Sequence, residues 1–139
     1  MSEITYNNTL PDIDQYYTLF QSTGWNTDYK ATPQELIISI KNSWFSVSAY
    51  HQDKLVGFGR MLCDGVLHAV LFDVIVMPEY QRKGIGTEIM SSLLAKCDEY
   101  NIRDIQLFCA EYKESFYNKF GFKPRPDNAP GMEIKKSIE

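Results

Sequence analysis

The stretch VIVMPEYQRKGIGTEIM, residues 74–90, decides the fold. Upstream of Pro78, residues 68–77 are almost continuously apolar, the pattern of a strand covered on both faces in a parallel or mixed sheet. Downstream the period changes. Ile85, Ile89, Leu93 and Cys97 recur every four residues beside Met90 and Leu94, which predicts a helix from about Gly84 to Tyr100 with one buried stripe. Between strand and helix lies QRKGIGT, residues 81–87, whose two glycines remove side chains where the first N–H groups of a helix have no internal partner. The helix dipole and the charges of Arg82 and Lys83 make a phosphate or pyrophosphate the guest that suits this loop. A Walker A loop needs Lys and Ser or Thr after its second glycine, where Thr87-Glu88 stands, and a dinucleotide fingerprint needs a third glycine where Ile89 stands. The plainer alternative is an ordinary glycine-containing entry to a helix.

At 139 residues, with 44% hydrophobic and 23% charged positions, the chain reads as one globular domain spanning residues 1–139. No apolar run approaches a transmembrane span, and MSEITYNNTL lacks the basic-then-apolar pattern of a signal peptide, so the expected setting is cytoplasmic and away from membranes. Cys63, Cys97 and Cys109 are odd in number and scattered through apolar patterns, which reads as small buried hydrophobes. His51 and His68 make no ligand cluster, and no metal is expected. A net charge of −4 argues against nucleic acid, whose binding draws on clustered Lys and Arg.

Residues 3–7 suit a short edge strand. A helix is expected from near Pro11, with Asp12 and Asp14 at its positive end and Ile13, Tyr17 and Phe20 as its stripe, ending at Gly24. Residues 25–30 read as a polar and aromatic loop. Thr32-Pro33-Gln34-Glu35 then opens a second helix by a capping box, with Leu36, Ile37 and Ile40 inward. Alternation over 44–50, a turn at His51-Gln52-Asp53 and a returning strand over 55–62 make a hairpin, in which Gly57 and Gly59 suggest a bulge or a close backbone neighbour. After the long helix, residues 104–109 read as a strand parallel to 68–77, because such a unit returns as a right-handed crossover. Residues 114–122 read as a short helix stopped by Gly121, and 132–136 as a closing strand.

The order strand, QRKGIGT, helix, strand, FYNKFGF (residues 116–122) resembles the GNAT family of N-acetyltransferases, in particular its small stand-alone bacterial members. The resemblance covers most of the chain. It implies an α/β (mixed α+β) fold, a central mixed sheet whose parallel fourth and fifth strands splay apart, flanked by helices. It implies acetyl-CoA as cosubstrate, its pyrophosphate on Arg82, Lys83, Gly84, Ile85, Gly86 and Thr87, and its pantetheine arm along Val74, Ile75 and Val76 like an added strand. An amide N–H of that segment would polarise the thioester carbonyl.

Tyr117 aligns with the family's general acid and would also contact the cofactor. A phenol keeps its proton at neutral pH and so can donate it to the departing thiolate. Ala110 stands where many members carry asparagine. Asp73 is the one charge in the apolar strand: a candidate base if a bulge turns it towards the acceptor, a structural hydrogen-bonded carboxylate otherwise. Other members often place a base slightly earlier, where Val70 and Phe72 stand.

The implied activity is transfer of an acetyl group to a primary amine by direct attack in a ternary complex. Trp25, Tyr29, Trp44 and Tyr50 would suit an arylalkylamine, Asp12, Asp14 and Glu35 a polyamine, and a peptide amine is a third acceptor class. A homodimer is compatible with this reading. The alternative from another class is a non-catalytic acyl-CoA sensor or interaction module that keeps the cleft without the chemistry.

Overall fold

A computed structural model describes residues 3–136. Among these residues five strands form one sheet in sequence order: β1 (Ile4–Asn7), β2 (Phe45–His51), β3 (Lys54–Cys63), β4 (His68–Val76) and β5 (Asp104–Leu107). The first four pair antiparallel, and β4 with β5 parallel. The helices are α1 (Ile13–Gln21), α2 (Asn26–Tyr29), α3 (Pro33–Lys41), α4 (Ile85–Glu99) and α5 (Glu114–Asn118). Among the described residues no helix is long and apolar enough to cross a membrane.

Alternation along β3 assigns the two faces of the sheet. Phe58 meets the Tyr16 ring of α1 at 4.9 Å, whereas its neighbours Gly57 and Gly59 point at α4. A Cβ built on Gly57 would lie 3.1 Å from both Ile85 Cγ2 and Ile89 Cδ1, and one on Gly59 only 2.6 Å from Ile89 Cγ2. The glycines therefore let α4 press directly on the strand. Its stripe of Ile85, Ile89, Met90, Leu93 and Cys97 is buried, each large apolar side chain contributing about 1.5–3 kcal/mol of transfer free energy. The bulge foreseen here is present: Phe58 faces Ile75 and Arg60 faces Phe72, so Gly59 alone stands against both Asp73 and Val74.

The capping box forms as expected, Thr32 Oγ1 accepting from the Glu35 N–H at 3.1 Å and Glu35 Oε1 from the Thr32 N–H at 2.9 Å. Several expectations need correction. Pro11 precedes α1, whose N-cap is Asp12, its carboxylate accepting from the Gln15 N–H at 3.0 Å. The stripe of α1 is Tyr16, Leu19 and Phe20, rotated from the expected one because the helix packs against α3 and β3 together. Residues 26–29 close one helical turn, ended by Lys30 at φ 53°, where a loop was expected. The hairpin turn is two residues long, Gln52 and Asp53, with Gln52 at φ 57°. Cys97 is buried, but Cys63 is only half-buried and Cys109 is exposed.

Residues 132–136 make no strand. Their alternation alone does not create one, since a strand needs a neighbour for its backbone. Gly131 instead abuts Phe108, and Lys135 Nζ sits 5.3 Å from the Tyr29 ring centroid. Met132 and Ile134 are thereby left 85% and 86% exposed.

Candidate active site

β4 and β5 pair only from His68 with Asp104 to Leu71 with Leu107. Beyond Leu71 the fourth strand continues to Val76, while the fifth has ended, so among the described residues the second half of β4 has a partner on one side alone. The Met77 N–H bonds the Val56 carbonyl at 2.8 Å. Because alternate residues of an antiparallel strand bond the same neighbour, Ile75 turns its backbone to β3, whereas Val74 and Val76 turn theirs to the vacant edge. The Val76 carbonyl is taken by Gln81 Nε2 at 3.0 Å, which pins the glycine loop to the strand end. Val74 and the Val76 N–H thus lie along that edge.

The loop itself leaves an open helix N-terminus. After a single 3₁₀ turn (Pro78–Tyr80), Arg82 and Gly84 both adopt left-handed φ, 64° and 87°. Gly84 is the N-cap of α4, makes no side-chain cap, and a Cβ there would meet nothing within 4 Å. The N–H groups of Ile85, Gly86 and Thr87 in the first turn have no helical carbonyl to bond. Arg82, Lys83 and Thr87 are exposed beside them, with Lys83 Nζ 5.9 Å from the Tyr80 ring centroid. The Cβ direction of Gly86 meets Phe116 Cζ at 3.4 Å and Val76 Cγ2 at 3.7 Å, so its missing side chain makes room for α5.

That seat for Phe116 brings Tyr117 to the splay. The Tyr117 ring packs against Phe116 at 5.0 Å and Phe122 at 6.3 Å. Burial, and secondarily the neighbouring Cys109, push its phenol above the ordinary value of 10.0, so it stays protonated through the neutral range. Cys109 lies two residues beyond Leu107, which places Tyr117 with the β5 arm.

Asp73 belongs to the β4 arm, two residues beyond Leu71, where the strands part. It is the bulge residue, at φ 54°, and the bulge turns its carboxylate onto the α1 and α3 face. There Asp73 Oδ2 accepts from Arg60 Nε at 2.7 Å, the two side chains being 19% and 13% exposed. Sequence reading passed over Arg60, although it is the one charge between Leu55 and Leu62 in a strand otherwise apolar. It passed over Tyr16 as well. Among the described residues the Tyr16 hydroxyl is buried without a hydrogen-bond partner, and it stays neutral, its pKa raised by burial and then by the charge of Asp73.

The residues expected to recognise an acceptor do not form one pocket. Trp25 and Tyr29 both pack on Phe20, at 6.0 and 6.3 Å, but Trp44 packs on Tyr100 at 4.9 Å. Asp12 and Glu35 are engaged as helix caps. Tyr29 alone of these aromatic residues is largely exposed.

The comparisons agree with this geometry. A family model described as an acetyltransferase (GNAT) domain matches residues 16–130. An uncharacterised N-acetyltransferase, ycf52, of Pyropia yezoensis is 32% identical over 130 residues, covering 91% of this chain and 71% of that protein. A GNAT-family acetyltransferase of Streptococcus pneumoniae superposes with a TM-score of 0.79 at 27% identity, over 99% of this chain and 100% of that one. The PaiA N-acetyltransferase of Thermoplasma acidophilum, solved in complex with coenzyme A, shares the fold with a TM-score of 0.70 at 20% identity, over 88% of this chain and 91% of that one. With its splayed strands and glycine loop, this chain belongs to the GNAT acetyltransferases and is an acetyl-transferring enzyme.

Proposed function

We propose that the protein transfers an acetyl group from acetyl-CoA to a primary amine by direct attack in a ternary complex. The observation that carries this reading is the vacant edge of β4 leading straight into the Gly84 cradle. The coenzyme A bound by the Thermoplasma protein of the same fold supports it. The donor's thioester supplies an activated acetyl group. Arg82, Lys83 and the first N–H groups of α4 hold the pyrophosphate, and the backbone of Val74 and Val76 aligns the pantetheine arm. One of those two N–H groups faces the thioester carbonyl and stabilises the charge that its oxygen gains. Asp73 receives the proton that the acceptor ammonium must lose, and the Tyr117 hydroxyl gives a proton to the leaving thiolate.

Two measurements test this. Calorimetry should find CoA bound more tightly than pantetheine, and Arg82→Ala with Lys83→Ala should weaken CoA and flatten the salt dependence of its binding. Equal affinity for CoA and pantetheine would remove the anion site. Initial-velocity plots against both substrates should intersect. Parallel plots with an acetylated cysteine in the intact-mass spectrum would instead assign the attack to Cys109, the exposed thiol beside Tyr117.

A further inference from the structure

Asp73 stands in the left-handed backbone conformation of a bulge residue inside a strand. Arg60 holds its carboxylate. Its Nε donates to Asp73 Oδ2 at 2.7 Å, its Nη1 to the Ser39 carbonyl of α3 at 3.3 Å, and its guanidinium lies 5.7 Å from the Phe72 ring centroid. These contacts come from a strand, a helix and a ring, and together they fix the plane of the guanidinium. The bond to the carboxylate is single. Arginine commonly grips a carboxylate through both oxygens, but here, among the described residues, Oδ1 has no hydrogen bond. The second side chain nearby, Tyr16, is neutral and brings no charge of its own.

We propose that Arg60 is a positioning residue for acetyl transfer: it anchors Asp73 through Oδ2 at the parting of β4 and β5, so that Oδ1 is the atom left to receive the proton of the acceptor ammonium. This rests on Asp73 being the base. Lysine at position 60 would preserve the charge but not the fork that bonds Asp73 and Ser39 at once. A carboxylate left to swing by about 1 Å costs on the order of 10²-fold in rate, and the loss falls on kcat more than on donor binding.

The test uses the full chain with acetyl-CoA and whichever of tyramine, spermidine and a lysine-containing peptide the wild type acetylates fastest. Arg60→Lys should fold and bind acetyl-CoA as wild type does, and lose about 10-fold to 10²-fold in kcat. In Arg60→Ala, added guanidinium should restore part of kcat; in Asp73→Asn it should restore none, and Arg60→Lys made in that background should cost nothing further. A folded Arg60→Lys enzyme with wild-type kcat, beside a crippled Asp73→Asn, would overturn the positioning role and leave the base assignment standing. Wild-type kcat in Asp73→Asn would overturn the base assignment itself, and the role of Arg60 with it.

Discussion

Tyr117→Phe is expected to lower kcat for a good amine acceptor by about 10²–10⁴-fold, the usual contribution of a general acid, with acetyl-CoA affinity and melting temperature almost unchanged. The ring keeps its packing on Phe116 and Phe122, so the hydroxyl is the sole loss. The direction of the pKa shift adds a second readout. A phenol raised above 10.0 keeps its proton to a higher pH than a free tyrosine does, so the alkaline limb it governs should lie above pH 10.0 in the wild type. That limb should vanish in Tyr117→Phe. With chemistry shown to be rate-limiting, wild-type kcat in the variant would make Tyr117 a packing residue.

The largest expected effect on stability comes from one methyl group. Gly59→Ala would put a Cβ 2.6 Å from Ile89 Cγ2 and 3.2 Å from Leu93 Cδ1, on helix side chains that are themselves fully buried. Both neighbours lie in the core, so the added methyl must displace them, shift α4 away from β3 or bend the strand. Overpacking of this kind costs about 1–3 kcal/mol. Because α4 carries the glycine loop at its N-terminus, weaker CoA binding should accompany the loss of stability. Denaturant titration and calorimetry together check both, and an alanine variant as stable as wild type would show that the helix seat is softer than its contacts imply.

What the sequence made legible was whatever depended on neighbours along the chain. The period of four in α4, the capping box at Thr32 and Glu35, and the glycines at 57, 59 and 84 each carry a local physical meaning, and each was found in place. What was hidden depends on pairing across the sheet. Nothing local marks Asp73 as a left-handed bulge residue, since that conformation is expected of glycine or asparagine before aspartate in an apolar run. Its partner Arg60 lies thirteen residues away on the adjacent strand, visible only once Arg60 is set opposite Phe72. Tyr16 was missed because a stripe of 13, 17 and 20 satisfies the helical period as well as one of 16, 19 and 20. Residues 132–136 have the alternation of a strand but no ladder partner among the described residues, and Lys135 meets the Tyr29 ring instead.

The most direct measurement is the release of free CoA from acetyl-CoA by the purified protein, followed with a thiol reagent across tyramine, spermidine and a lysine-containing peptide, each product checked by mass. The arrangement of the β4 edge, the Gly84 cradle, Asp73 and Tyr117 predicts amine-dependent release, one acetyl group appearing on the amine for each thiol freed. Acetyl-CoA binding that calorimetry detects, with no thiol released by any amine, would contradict it and leave a protein that senses acyl-CoA without turning it over.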